Sequence, residues 1–247
     1  MSGISPTSRL RHSQSWAIAQ IVRSQAGDVS PPVPAKPFAF GHFLDRVSAG
    51  LDELPVDLLL ASGLQEVRAA LYHPPAHRPQ AELVWREAVA TALFAARVAR
   101  LTGLSASVAA LAGLLHRAGE VLALGVIAVA EKSIGATLDS GSRARLIQQT
   151  ERAFSAALVR QWQLPAAVGA AVLGWRQMSE FGVITREAMA VYFGHLLAVE
   201  TIHPEFCAPG LADSVGAGLG ISAQTLLCLR QQGEHARQVL AALEITN

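Results

Sequence analysis

Apolar residues recur at helical spacing along most of the chain, and nowhere do they alternate with polar ones for long enough to build a sheet. Positions 17, 18, 21 and 22 predict a short amphipathic helix over Ser15 to Ser24. Gly27-Asp28 and the prolines at 31, 32, 34 and 37 then predict an extended connector, because proline at that density stops helices. Phe38, Phe40, Phe43, Leu44 and Val47 make an apolar face before Gly50. Asp52 is placed to cap a helix with Pro55 in its first turn, running to about Ala61. Gly63 is expected to end it, with Leu64, Val67, Ala70 and Leu71 marking another short helix before a loop over His73 to Pro79. The longest clean helix spans Glu82 to Leu101, with Arg97 and Arg100 near its end and Gly103 beyond.

Ser105 or Ser107 can cap the next helix, which runs to His116. Gly119 is expected to break the chain there, and a new helix carries Val121 to about Lys132. Asp139-Ser140-Gly141 reads as a turn, followed by helices at about 142–162 and 165–174, the second announced by Leu164-Pro165. Thr185, with Glu187 behind it, caps a helix to Thr201. A loose stretch through Pro204 and Pro209 leads to a last helical region from Ser222 to about Leu243, bent at Gly233. There is no internal repeat. The fold class is all-α.

Composition agrees. Half the residues are hydrophobic, and Ala and Leu dominate over the β-branched types. Net charge is +1, which implies no general attraction to nucleic acid or to acidic membranes. Residues 1–14 are polar, carry no apolar signal core, and are expected to be poorly ordered. The two most apolar stretches, 104–115 and 121–130, are each too short to span a bilayer and are parted by His116, Arg117 and Glu120. Cys207 and Cys228 lack metal-like spacing and read as reduced, buried thiols of a cytoplasmic protein. Trp16, Trp85, Trp162 and Trp175 read as core anchors.

The chemistry concentrates in Leu111-Ala112-Gly113-Leu114-Leu115-His116-Arg117-Ala118-Gly119-Glu120. A helix apolar on nearly every face is buried, so the histidine and arginine at its end are the polar groups most in need of partners. This segment resembles the AGLLHDIG signature of the HD superfamily of metal-dependent phosphohydrolases, and more closely its HDOD branch (HD-related output domain). Trp85-Arg86-Glu87-Ala88-Val89-Ala90-Thr91-Ala92 is similar to that branch's W-x-H-S-x-x-x-A helix. Glu151, then Ala153 to Val159 and Trp162-Gln163-Leu164-Pro165, resemble its E…H-A-x-x-G-A-x-L-x-x-W-x-L-P run, and Ala190 to Leu197 the helix of its last A-D pair. Order and spacing agree over about 83–200; Leu51 to Leu71 resembles the end of the family's N-terminal lobe more loosely. The resemblance implies an HD-like helical domain over 82–247 with a smaller N-terminal helical lobe over 15–81.

Carried over residue by residue, the resemblance puts Glu87 at the first ligand position, where the family pattern has His. His116 matches, Arg117 replaces the Asp, and His195 occupies the last Asp position. Leu173-Gly174-Trp175 stands where a double His is common. Glu87, His116 and His195 are types that bind metal, but arginine is always protonated and offers five donors and no lone pair. The expectation is therefore a core polar cluster in which Arg117 pairs with Glu87 and the histidines are hydrogen-bonded, with no catalytic residues, metal or cofactor. His73 and His77 have i, i+4 spacing, but the prolines between them prevent alignment on a helix; Ser15, Ser155 and Ser222 lack a nucleophile's setting; and the glycines of 210–220 have neither a preceding strand nor a Lys-Ser/Thr pair for phosphate. The resemblance implies a non-catalytic, cytoplasmic signal-transduction module that docks regulatory proteins of bacterial signalling pathways, binding neither nucleic acid nor membrane, with a homodimer left open. Two alternatives stay open: a divergent metal-dependent phosphohydrolase, and a sensor of small anions in the relic cavity with Arg117 as anchor.

Overall fold

The computed structural model describes residues 6–27, 32–37, 40–41, 44, 56–72, 76–176 and 184–245. Among these residues the secondary structure is helical, with no strand. The elements are α1 (Pro6–Gly27), α2 (Val56–Leu71), α3 (Arg78–Leu101), α4 (Ala106–Leu115), α5 (Ala118–Ile134), α6 (Ser140–Gln161), α7 (Ala166–Gly174), α8 (Arg186–Ile202), α9 (Leu211–Gly218), α10 (Ala223–Gln231) and α11 (Gly233–Ile245).

Four helices start where a short polar side chain accepts from the backbone N–H three residues on. These are Ser105 from Val108, Asp139 from Ser142, Thr185 from Ala188 and Ser222 from Thr225. Each such cap is worth about 1 kcal/mol. The central helix is α3, buried along almost its whole length and packed against α4 and α8. Small residues let the backbones close. A Cβ on Gly113 of α4 would lie 2.8 Å from Ala92 Cα, and one on Gly194 of α8 would lie 2.7 Å from Ala95 N. Helix α5 packs on α6, α1 lies across both, and α7 fits against α4, α6 and α8. Buried apolar side chains from Ile18 of α1 to Leu240 of α11 form one continuous cluster. The connector is pinned to it: Trp162 Nε1 donates to Pro34 O at 2.9 Å, and Phe40 meets the Trp162 ring with centroids 5.4 Å apart.

Several boundaries differ from expectation. Helix α1 starts at Pro6, not near Ser15. Helix α2 runs through Gly63 without a break, since a lone glycine costs a helix only about 1 kcal/mol. Helix α3 starts at Arg78 with Pro79 in its first turn, where the missing N–H has no helical partner to lose. The break after α4 falls at His116-Arg117, and Gly119 lies inside α5. Asp139-Ser140-Gly141 is not a free turn but the capped start of α6. The expected loose stretch after Pro204 contains a 3-10 turn, Pro204–Phe206, and α9. Cys228 is exposed because it lies off the face of α10 that buries Leu226 and Leu229, and Cys207 is only half-buried; both are free thiols. Trp85, Trp162 and Trp175 anchor the core, whereas Trp16 is 61% exposed, its helix burying Ile18 and Val22 instead. The readings at Phe38, Phe43, Val47, Asp52 and His73 lie outside the described residues. Ala106–Ile134 is together long and apolar enough to cross a membrane, but 78% of its most apolar window is packed inside the protein and His116-Arg117 interrupts it.

Candidate functional site

Five helices meet where α4 ends. Helix α4 delivers His116, α3 brings Glu87, α8 brings His195, α5 opens with Glu120, and Trp175 with Arg176 follows α7. Local chemistry fixes the junction: Tyr72 at the end of α2 donates its hydroxyl to Leu114 O at 2.9 Å and packs its ring at a tilt against Trp85, centroids 5.0 Å apart. Burial pushes the Tyr72 phenol well above its ordinary range, so it stays a neutral donor.

The structure brings all four sequence-predicted positions together, in two sets. In the first, the Arg117 guanidinium donates from Nη1 to Glu87, and from Nε and Nη2 to Glu120 Oε2 at 3.0 and 2.8 Å. Glu87 and Glu120 are 6% and 7% exposed. His203, just past α8, places Nε2 3.7 Å from the other Glu87 oxygen. A guanidinium suits this place because its planar fork can serve two carboxylates at once. Helix α5 can begin so close to α6 only because residue 119 is glycine. A Cβ there would stand 2.1 Å from Glu151 O and 2.3 Å from Ser155 Oγ.

In the second set, His116 Nδ1 lies 2.6 Å from Gly113 O and its Nε2 lies 3.2 Å from His195 Nδ1. A carbonyl only accepts, so His116 carries its proton on Nδ1 and its Nε2 accepts from His195 Nδ1–H. Both rings pack edge-on against Trp175, at 4.6 and 5.0 Å. Burial drives the His116 pKa down to about 3; the Gly113 hydrogen bond opposes this and Arg176 adds to it. His195 is likewise held well below its ordinary value, first by burial, then by His116, Arg117 and Arg176. Both imidazoles are neutral at physiological pH.

Beside these sets opens a polar cleft of about 310 Å³, lined by His116, Arg117, Glu120, Glu151, Arg152 and Arg176 among others. Arg176 pairs with Glu151 and lies over the Trp175 ring at 4.8 Å. Burial raises the Glu151 pKa, with Arg176 working against it.

The residues present do not fit the divalent ion of catalytic HD sites. His116 is oriented as a ligand would be, with Nδ1 on a carbonyl, but its Nε2 lone pair faces the His195 N–H. Glu87 and Glu120 already hold a guanidinium. A unit positive charge about 4 Å from a divalent ion repels it by roughly 8 kcal/mol at an effective dielectric near 20. Sequence reasoning missed Glu120, His203, Arg152 and the Glu151–Arg176 pair. Glu120 was within reach, since it stands three residues after Arg117 at the start of one helix; the others come from elements whose approach no local pattern announces.

A family model described as the HDOD domain matches residues 50–177, which include Glu87, His116 and Arg117 and stop short of His195. No curated protein matches the chain. Among solved structures, the chain is similar to a crystal structure from Marinobacter aquaeolei VT8 of a protein whose name assigns it to signal transduction. The two are 17% identical with a TM-score of 0.51, over 93% of this chain and 57% of the other. The chain thus spans just over half that protein's length, and at this identity the likeness concerns the fold.

Proposed function

The chain belongs to the HDOD family, and from that membership we propose that it is a non-catalytic, cytoplasmic signal-transduction module that docks regulatory proteins of bacterial signalling pathways. The observation that carries this reading is the Arg117 guanidinium, held by Glu87 and Glu120 where the HD signature has a metal-binding Asp. A site whose carboxylates neutralise an internal cation has nothing left to bind a divalent ion or lower the pKa of a water. The signalling name of the Marinobacter aquaeolei protein agrees with this role.

The test is elemental analysis of protein purified without chelator, joined to hydrolysis assays on nucleotides and cyclic dinucleotides with added Mn²⁺, Fe²⁺ or Mg²⁺. The expected result is no stoichiometric metal and no turnover, in the wild type and in Arg117→Asp alike, because positions 87 and 195 depart from the ligand pattern too. One equivalent of metal, or turnover abolished by His116→Ala, would establish the divergent phosphohydrolase instead.

One observation favours a second reading, the small-anion sensor: the cleft beside Arg117 is open, larger than a few waters and faced by Arg152 and Arg176. Its lining is polar, with Arg117 held by Glu120 and Arg176 by Glu151. Calorimetric titration with inorganic phosphate decides: heat lost in Arg176→Ala would support a sensor, and no heat would leave the docking module.

A further inference from the structure

A second cleft, of about 500 Å³, lies between α1 and the start of α6 and shares no lining residue with the one beside His116. Its lining is half apolar and half polar. Trp16 forms one wall, Ala19, Leu138 and Leu146 supply apolar floor, and Arg23 and Arg145 stand over it. Trp16 is the most exposed tryptophan, with 61% of its surface open, although Ile18 and Val22 of the same helix are fully buried. Arg23 donates to Gln149 Oε1 at 3.0 Å and Arg145 to Ser142 Oγ at 3.2 Å, both uncharged oxygens. Among the described residues neither guanidinium joins an ion pair, in contrast to Arg117. Asp139, the one carboxylate in the described lining, is occupied as the cap of α6, accepting from Ser142 N at 2.8 Å.

The cleft carries two guanidiniums, Arg23 and Arg145, against the single carboxylate of Asp139, which also feels Arg145. Neither α1 nor the first half of α6 contains an acidic residue, and Arg143 of α6 is turned to Glu131. The whole chain is only +1, so this positive face is a local concentration and not a global property. Tryptophan and arginine are the side chains that most often dominate the energy of protein interfaces, and complementary charge sets partner choice and encounter rate.

We propose that the cleft between α1 and α6 docks an acidic segment of a partner protein, an apolar side chain packing against Trp16 and carboxylates reaching Arg23 and Arg145. The proposal rests on the docking reading given above and names its surface and the chemistry of its partner. A nucleic acid is the less suitable occupant. Two guanidiniums beside an exposed tryptophan in a cleft of about 500 Å³ match a short acidic stretch, whereas a polyanion needs an extended positive track.

The experiment pans a displayed library of random 12-residue peptides against the full chain. Enriched peptides are then titrated by calorimetry against the wild type and each variant, and protection of Trp16 fluorescence from iodide in the wild type places them at this cleft, because Trp85, Trp162 and Trp175 are buried. Enriched sequences should carry two or more Asp or Glu beside a large apolar residue. Their affinity should fall about thirtyfold or more with Trp16→Ala and about tenfold or more with Arg23→Glu/Arg145→Glu. It should also weaken as salt rises from about 50 to 500 mM. Circular dichroism of the variants should be that of the wild type, since both arginines are exposed. Absence of enrichment, enrichment without acidic residues, equal binding to the variants, or tighter binding of a single-stranded oligonucleotide than of any peptide would overturn the proposal. The metal and turnover assays on the non-catalytic reading involve none of these residues, so the two claims fail separately.

Discussion

Arg117 and Arg145 are the same residue used in opposite ways. Arg117 is largely buried and divides its donors between two buried carboxylates. Arg145 stands at the surface with a serine hydroxyl as its partner. The first keeps its charge inside the protein and holds two helices, α3 and α5, and the turn after α4 in one arrangement. The second leaves its charge available. The contrast teaches that a signature histidine need not mark the reactive end of this fold. Where arginine stands beside that histidine in place of aspartate, its charge is met by carboxylates inside the protein, whereas that of Arg145 stays at the surface.

The largest expected effect breaks the buried side. Arg117→Ala strands Glu87 and Glu120 together without a cation, and leaving buried charge unpaired costs about 3–5 kcal/mol. Urea unfolding measures it. Next, Gly119→Ala should cost about 1–3 kcal/mol or more, because the added methyl must push α5 off α6 and carry Glu120 away from Arg117; the same unfolding curves report it.

The third expectation is a pH dependence. His116 and His195 have folded-state pKa values below the ordinary 6.5. The unfolded chain therefore takes up protons below about 6.5 while the folded chain does not. Stability is unaffected by these groups above that pH. As pH falls toward the folded value, about 3 for His116, it is lost at up to about 1.4 kcal/mol per pH unit for each histidine. His195→Gln should flatten the slope of unfolding free energy between pH 6.5 and 5; an unchanged slope would mean the ring is not held neutral. The smallest effect belongs to the surface: Arg23→Ala and Arg145→Ala should each change stability by no more than about 0.5 kcal/mol.

Much of this was legible in the chain. The all-α class follows from apolar spacing, and the caps at Ser105, Thr185 and Ser222 from their side-chain chemistry. The Glu87–Arg117 pair was expected from need, since a buried arginine requires an acid. What was not legible depends on how helices approach one another. Gly119 looks like a breaker in one dimension and is a contact point in three. Trp16 has the composition of a core anchor, yet its position on α1 turns it outward. Arg176 reaches Glu151 across 25 positions of sequence, a pairing that no periodicity encodes.

The central claim is that Arg117 is held in place by its carboxylates, so that the old ligand position is an internal ion cluster. The double-mutant cycle of Glu87→Ala and Arg117→Ala tests it most directly. Glu87→Ala alone should cost less than Arg117→Ala, because Glu120 still holds the guanidinium. The double mutant should be milder than the sum, with a coupling of about 1–3 kcal/mol. Strictly additive losses, with coupling near zero, would contradict the account.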